Sequence, residues 1–176
     1  MMPLPDLDEA RANATYDALL WALGRPGQVR TLPNPGEVEI IHALIGRECR
    51  VHAADPRLIP LIVRAGAEVA ELSSADHVFL GALADLSPLR EIGQGSDLYP
   101  DDGATVILAV ELGTGPALRL SGPGVDGAVE LRVGGLPPGF WEERARIMRY
   151  PMGFEIFLLD GARIVGVPRS TDVEAL

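Results

Sequence analysis

Residues 105–112 read Thr-Val-Ile-Leu-Ala-Val-Glu-Leu, a run that is almost entirely apolar and contains several β-branched side chains. A run of this length and composition is typical of a strand buried on both faces, as at the centre of a sheet. The segments around it show both helical and strand-like patterns. Together they predict an α/β fold with three layers, in which a mixed sheet is flanked by helices.

Three helices are predicted around this strand. The first begins near Asp6, which imitates a capping box with Glu9, and it ends at Gly24. The second opens at Asp55, because aspartate caps a helix and the proline that follows suits its first turn. The third covers residues 138–150, where acidic side chains come first and arginines later, in the order that the helix dipole favours.

The other regular segments are predicted as strands. They cover residues 29–32, 49–53, 77–80, 117–121, 129–133, 154–159 and 163–168. The last two form a hairpin, because the Asp160-Gly161 pair between them is a strong turn signal. Residues 38–45 are apolar but fit either a short helix or a strand, and residues 87–102 are loop-like. The chain has no linker, repeat or low-complexity segment, so residues 1–176 are predicted to form a single domain.

The composition indicates a cytoplasmic protein. No apolar run approaches the roughly 18 residues that a membrane span needs. Residues 1–9 carry acidic side chains where a signal peptide would carry basic ones. The chain has one cysteine, Cys49, which excludes an internal disulfide and fits a reducing compartment. We therefore expect a soluble protein that does not associate with membranes.

The charged residues limit both the partners and the chemistry. The net charge is −10, which disfavours nucleic acid and anionic membrane surfaces, because binding to either requires a basic face. All 15 basic residues are arginines, and the chain has no lysine. It therefore cannot form a Schiff base with pyridoxal phosphate or hold a phosphate through a P-loop lysine. Any anion must be held by arginine, helix N-termini or backbone amides.

Two patterns that suggest ligand binding have simpler interpretations. Residues 122–127 match the dinucleotide pattern G-x-G-x-x-G, but a strand pattern follows instead of the helix that the pyrophosphate requires. A loop between two strands is the better prediction. The spacings of His42, Cys49 and His52 are unlike those of zinc sites, so we expect structural residues and no metal. His77 is predicted to be a cap or a hydrogen-bonded edge residue.

Several arginines are candidates for binding an anion. Three lie in the third predicted helix: Arg144, Arg146 and Arg149. A solvated helix face is the simpler interpretation for them, and an oxyanion site is the alternative. Arg169 ends a predicted strand, where α/β folds often place ligand contacts. Its simpler interpretation is an ion pair with Asp172 or Glu174. The hydroxyls at residues 73–74 and 170–171 lie outside any nucleophile elbow, so no hydrolase triad is predicted.

Segments along nearly the whole chain have the order and spacing of one known family. They are residues 16–20, 24–27, 102–108, 120–125, 140–145, 150–155 and 168–171. The last three read Phe-Trp-x-x-Arg-Ala, Tyr-Pro-Met-Gly-Phe-Glu and Pro-Arg-Ser-Thr. In their joint order these segments resemble the PhnH family of the carbon–phosphorus lyase system. The chain departs from the family pattern at residues 38–83, which match poorly and are shorter, at Glu155, where aspartate is typical, and at Ser170, where threonine is typical.

The resemblance implies a fold similar to that of pyridoxal-phosphate-dependent transferases, without the cofactor. It also implies a subunit of the carbon–phosphorus lyase core complex, which degrades organophosphonates. Family members act with G-, I- and L-type subunits to transfer a ribose triphosphate from a purine nucleotide such as ATP onto an alkyl phosphonate. A separate radical iron–sulfur subunit then cleaves the carbon–phosphorus bond. The expected partners are a second copy, in a homodimer, and the G-, I-, J- and L-type subunits. The resemblance assigns no catalytic residue.

Three functions remain open from the sequence. In the leading one, the chain is a structural or assembly subunit that presents a sheet edge or an apolar surface to its partners. Phe140, Trp141 and Met152 are anchors for such a surface unless they fill the core. A protein of charge −10 repels a triphosphate, so ATP and Mg²⁺ are expected only at the level of the complex.

The second function is a contribution to the transferase active site at a subunit boundary. Arg25, Arg144 and Arg169 would then contact anions, and Asp102 or Glu155 would contact a metal or act as a base. In the third function the similarity is confined to the fold, and the protein binds another small molecule.

Overall fold

The computed structural model describes residues 6–176, in which ten strands and four helices form three layers. The strands are β1 (Arg30–Thr31), β2 (Arg50–Ala53), β3 (Glu68–Val69), β4 (His77–Gly81), β5 (Thr105–Ala109), β6 (Glu111–Ser121), β7 (Val129–Gly134), β8 (Glu155–Asp160), β9 (Arg163–Val167) and β10 (Asp172–Ala175). The helices are α1 (Leu7–Gly24), α2 (Glu37–Leu44), α3 (Ile59–Ala65) and α4 (Phe140–Ile147).

Seven strands form a large mixed sheet in the order β1-β9-β8-β5-β4-β2-β3. The strands from β8 to β3 are parallel, while β9 runs antiparallel to β8 and closes the predicted hairpin. Ile156 at the start of β8 is therefore opposite Val167 at the end of β9. This reversal places the segment after β9 at the edge of the sheet where the parallel strands begin.

The central position of β5 explains its apolar sequence. Side chains alternate between the two faces of a strand, and both faces of β5 are covered. Ile107 packs with the helices α1 to α3, while Val106 and Leu108 pack with α4 and the small sheet formed by β10, β6 and β7. The prediction of a mixed sheet flanked by helices is confirmed, with the small sheet as an additional cover on the α4 side. The similarity to the pyridoxal-phosphate transferase fold stays a prediction.

The predicted strand 105–112 is wrong in one respect, because it is divided between the two sheets. β5 ends at Ala109, and β6 begins at Glu111 in the small sheet. The transition is fixed at Leu112, whose backbone N–H donates to Asp160 Oδ2 at 3.0 Å and whose carbonyl accepts from Arg163 at 3.1 Å. These contacts come from the β8–β9 hairpin, so they depend on tertiary structure and leave no pattern in residues 105–112.

Most other predicted elements are confirmed. Asp6 caps α1 by accepting from the backbone N–H of Glu9 at 2.8 Å. Residues 38–45 are mainly helical, in α2. Residues 122–127 connect the antiparallel strands β6 and β7, as predicted for a loop between strands. The helix predicted over residues 138–150 is shorter, because α4 ends at Ile147 and the backbone of Met148 is extended. The short strands β3 and β10 were not predicted. Within the described residues, no helix is long and apolar enough to cross a bilayer.

Candidate functional site

Arg169 and Glu155 meet at the edge where the parallel strands begin. Since β9 ends beside the start of β8, the backbone N–H of Arg169 donates to Glu155 Oε2 at 2.7 Å. Its Nε donates to Glu155 Oε1 at 2.5 Å. A guanidinium nitrogen of Arg169 also donates to the carbonyl oxygens of Pro100 and Pro151. The Arg169 side chain therefore links three segments of the chain.

This arrangement corrects the predicted ion pair of Arg169. Its partner is Glu155 on the neighbouring strand, and neither Asp172 nor Glu174 pairs with it. The prediction that Arg169 contacts a ligand would place it at the edge where the parallel strands end. The antiparallel course of β9 instead brings Arg169 to the opposite edge, where those strands begin. The guanidinium also packs on Gly103, where a Cβ would lie 3.0 Å from it. The side chain is thus held by internal partners and serves to position the 168–171 segment.

Arg144 is buried, which corrects the prediction of a solvated helix face for this residue. It is 4 % exposed on α4, and its two terminal nitrogens donate to the carbonyl oxygens of Thr171 at 3.1 Å and Pro168 at 2.8 Å. Arg146 and Arg149 are exposed, as predicted. Among the described residues no carboxylate forms an ion pair with Arg144, whereas Arg146 pairs with Glu143. The Arg144 guanidinium is therefore a buried cation held by neutral acceptors.

The electrostatic cost of this burial is large. Desolvation lowers the pKa of Arg144 to about 10, although the charges of Glu155 and Asp172 act in the opposite direction. The residue remains protonated at neutral pH, and a net shift of this size corresponds to about 3 kcal/mol of lost stabilisation of its charged form. Within the described part of the chain, its Nε and the Thr171 hydroxyl are buried with no hydrogen-bond partner. Two adjacent polar groups are therefore unsatisfied beside the same turn.

Arg144 and Thr171 line a cleft of about 340 Å³ between α4 and the small sheet. One wall offers hydrogen-bond donors, and another is apolar. The donors besides these two come from Arg119, Ser121, Tyr150 and Arg169, and the apolar groups come from Ala145, Met148 and Val173. Asp172 and Glu174 also line the cleft, and Glu174 is 3.8 Å from Arg119. Such a cleft can accept a small anion with an apolar part.

The other two candidates lie outside this cleft. The exposed Arg25 stacks on the Trp21 ring, with its guanidinium carbon 5.0 Å from the ring centroid. Asp102 is exposed in a short 3₁₀ turn, Pro100–Asp102. The structure therefore brings together Arg144, Arg169 and Glu155, while Arg25 lies apart from them. Asp102 belongs to the turn whose Pro100 carbonyl accepts from Arg169, but it does not line the cleft. The functional roles of all five residues stay predictions.

The histidines and the cysteine have structural surroundings. No group of three or more His, Cys, Asp or Glu side chains within residues 6–176 is arranged to hold a metal ion. Cys49 Sγ donates to the carbonyl oxygen of Leu44 at 3.7 Å, and His52 Nδ1 lies 3.2 Å from the Ala70 carbonyl oxygen. His77 differs from the prediction of a hydrogen-bonded edge residue. Its Nδ1 is buried without a partner in the described chain, and burial lowers its pKa despite the charge of Asp76.

Two of the three apolar residues considered as surface anchors fill the core, which was the simpler interpretation of them. Phe140 and Trp141 are buried and pack edge to face in the core. The exposed apolar surface lies on α1 instead, where Tyr16 is 52 % exposed and Leu20 is 60 % exposed. Two adjoining clefts of about 160 and 420 Å³ run along this side of α1 and share Leu20 and Leu23. We call this surface the α1 groove.

The α1 groove and the Arg144 cleft lie on the two sides of the 168–171 segment. Pro168 and Ser170 line the groove, while Arg169 and Thr171 line the cleft. Sequence reasoning missed Thr171 and Arg119 as parts of a site. Thr171 had one signal in the sequence, which was its place in the Pro-Arg-Ser-Thr segment. Nothing in the sequence distinguished Arg119 from the other arginines in predicted strands.

These features define an α/β protein with an apolar groove and an arginine-lined cleft on either side of one C-terminal segment. Residues 7–174 match the model of the family described as "Bacterial phosphonate metabolism protein (PhnH)". The chain is also 32 % identical over 174 residues to "Putative C-P lyase subunit protein HtxG" of Stutzerimonas stutzeri, covering 93 % of this chain and 86 % of that protein. The chain belongs to the PhnH family. The resemblance to this family that the sequence predicted is confirmed. Because the match lies in the amino-acid sequence, it is more than a similarity of fold.

Proposed function

We propose that this protein is a cytoplasmic subunit of a carbon–phosphorus lyase complex and serves mainly in its assembly. In that complex it assists the G-, I- and L-type subunits in the transfer of a ribose triphosphate from a purine nucleotide onto an alkyl phosphonate. Its partners in the complex are the G-, I-, J- and L-type subunits. ATP and Mg²⁺ bind at the level of the complex. Membership in the family and the similarity to a named lyase subunit support the pathway.

The observation that carries the assembly role is the composition of α1. Its inward face is buried through Ala18, Leu19 and Ala22, as expected for a helix packed on a sheet. One flank of its exposed surface is also apolar, at Tyr16 and Leu20, next to the exposed polar Asn13 and Asp17. Large apolar side chains on a second side of a helix are normally covered, because exposed apolar area is unfavourable in water. This flank of α1 therefore fits a partner surface.

We infer that a second copy of this chain covers this surface. Two molecules of charge −10 repel each other, so a stable contact between them requires a surface with few charges. Tyr16, Leu20 and Leu23 provide such a surface along the α1 groove. In a two-fold dimer the same patch is used by both subunits, and two apolar helix faces complement each other.

Two matched substitutions test this surface. Leu20→Glu places a charge in the α1 groove, whereas Val63→Glu places one on α3, where the valine is similarly exposed at 58 %. Light scattering after size-exclusion chromatography is expected to give a dimer for the wild type and for Val63→Glu, and a monomer for Leu20→Glu. A monomeric wild type would refute the homodimer, and a dimeric Leu20→Glu would refute this surface.

The same chromatography with G-, I- and J-type subunits tests the assignment to the complex. A co-eluting assembly is expected. A chain that remains alone with every subunit would contradict the assembly role.

The buried Arg144 favours a second candidate function, in which the subunit supplies anion contacts to a transferase site at a subunit boundary. Arg169 and Glu155 satisfy each other, so of the two candidate arginines beside the 168–171 segment Arg144 is the one with no carboxylate paired to it among the described residues. An Arg144→Gln complex that assembles normally but has lost transfer activity would support this function. A complex that fails to assemble would instead assign Arg144 to structure.

A further inference from the structure

We propose that the Arg144 cleft binds a small tetrahedral oxyanion that carries a short apolar group, the chemistry of an alkyl phosphonate. Arg144, Thr171 and Arg119 hold the oxygens, and Met148 and Val173 contact the apolar group. This inference rests on the second candidate function, which requires an anion at Arg144, and it is independent of the assembly role.

The first support is the unsatisfied polarity of one wall. A guanidinium has five N–H donors. Two nitrogens of Arg144 each donate a hydrogen bond to a backbone carbonyl oxygen. Neutral acceptors do not compensate a buried positive charge, so an anion in the cleft would supply the missing interaction. The Thr171 hydroxyl is a second, independent group, since it is buried with no partner in the described chain.

The second support is the size and charge of the cleft. At about 340 Å³ it is near the lower end of the volumes of small-molecule sites, which start at roughly 300 Å³. Arg119 and Arg144 contribute positive charge, but Asp172 and Glu174 also line the cleft, and Glu174 lies 3.8 Å from Arg119. These carboxylates oppose a polyanion such as a nucleoside triphosphate and leave room for one oxyanion group.

The third support is the apolar wall. Ala145, Met148 and Val173 line the cleft beside the donors. An alkyl substituent can contact this wall while its oxyanion contacts the arginines. Inorganic phosphate has no such substituent, so ethylphosphonate is expected to bind about threefold or more tightly than phosphate.

Binding is measured by calorimetry or ³¹P line broadening on the purified full chain, with ethylphosphonate, inorganic phosphate and ATP as separate probes. Thr171→Val and Arg119→Gln are expected to weaken ethylphosphonate binding about 3- to 10-fold. Thr171→Val removes a hydroxyl that bonds nothing else in the described chain, so the fold is retained.

Asp172→Asn removes a repelling charge and is expected to tighten binding about two- to fivefold. Arg64→Gln is the control for the loss of one positive charge, because Arg64 lies on α3, on the other side of the large sheet.

Three results would overturn the proposal: no binding of ethylphosphonate, equal affinities in all four variants, or tighter binding of ATP than of ethylphosphonate. Chromatography of the same variants with the partner subunits distinguishes failure of this binding site from failure of the assembly role. A Thr171→Val chain that assembles but binds ethylphosphonate weakly supports the site, and a wild type that binds but does not assemble contradicts only the assembly role.

Discussion

Glu155 accepts two charge-assisted hydrogen bonds from one residue, because both Nε and the backbone N–H of Arg169 donate to its carboxylate. The pair is only partly exposed to solvent, so water replaces these bonds poorly. The sequence marked both residues as candidates for ligand binding. Their mutual contact shows that each residue satisfies the hydrogen-bonding groups of the other. A separation of 14 residues in the sequence gives no sign of this contact.

Glu155→Gln tests the structural role of this pair. The amide replaces one acceptor oxygen by an NH₂ group that faces an N–H donor, and the expected loss is about 1–3 kcal/mol in the free energy of unfolding. Urea denaturation measures it. Glu174→Gln is the control, because Glu174 is exposed and its ion pair with Arg119 is long, at 3.8 Å. The expected loss in the free energy of unfolding is below about 0.5 kcal/mol. Equal losses in the two variants would contradict the role of Glu155.

His77 gives a prediction about pH. Burial lowers its pKa, so the unfolded chain binds a proton more readily than the folded one at pH values just below 6.5. Stability is therefore lost as pH falls through the unfolded pKa near 6.5, with a slope of at most about 1.4 kcal/mol per pH unit. The charge of Asp76 acts on the ring in the opposite direction to burial, and Tyr16 lines the same cleft as His77.

His77→Gln is expected to lose less stability between pH 7 and pH 5 than the wild type, as measured by urea denaturation at several pH values. His42→Gln, at an exposed histidine on α2, is the matched substitution for comparison. An unchanged slope in His77→Gln would show that the ring titrates alike in the folded and unfolded chains.

The packing of α1 on β9 depends on the absence of a side chain at Gly166. A Cβ at this position would lie 2.5 Å from the carbonyl oxygen of Ala22 and 2.7 Å from the backbone nitrogen of Leu23. Backbone atoms cannot move aside as flexible side chains do. The glycine therefore sets the distance between the helix layer and the sheet, and with it the position of the α1 groove.

Gly166→Ala is expected to destabilise the fold by about 1–3 kcal/mol, because the added methyl pushes α1 off the sheet. Gly24→Ala is the matched control. Position 24 is the last residue of α1, and a Cβ there would meet no atom within 4 Å. It is expected to be neutral or stabilising by up to about 1 kcal/mol, since alanine favours the helix. Thermal melts measure both, and an undisturbed Gly166→Ala protein would contradict the close packing.

At the scale of elements, local signals were sufficient where a segment makes its own structure. The Asp6 cap, the Asp160-Gly161 turn and the helical spacing of α1 are all local, and all were predicted correctly. The break at Val110, between β5 and β6, was not predicted. Residues 105–112 favour an extended backbone throughout, and contacts from β8 and β9 decide where the chain leaves the large sheet.

The whole molecule has two apolar cores that share one sheet. Ile41 belongs to the core under α1 to α3, while Leu118 belongs to the core between the large and small sheets. Because β5 contributes side chains to both, each core requires the other to hold the sheet in place. This sharing favours the prediction that residues 1–176 form a single cooperative domain.

Ile41→Ala and Leu118→Ala test that prediction. Both side chains are fully buried, so each substitution is expected to cost about 2–5 kcal/mol. Unfolding followed by circular dichroism and by tryptophan fluorescence is expected to remain one transition in each variant, shifted to lower denaturant. Two separate transitions, with only one shifted, would show that the layers unfold independently.

The sequence by itself determined the class of fold, the family, and the chemistry available to the protein. A buried central strand, a capped first helix and an all-arginine set of cations follow from local composition and spacing. Only the tertiary structure decided which arginines are free to act. The antiparallel course of β9 joins Arg169 to Glu155, and the packing of α4 buries Arg144 beside the 168–171 segment. These outcomes depend on the order and direction of strands distant in the chain, and that order is set by the joint burial of both sheet faces.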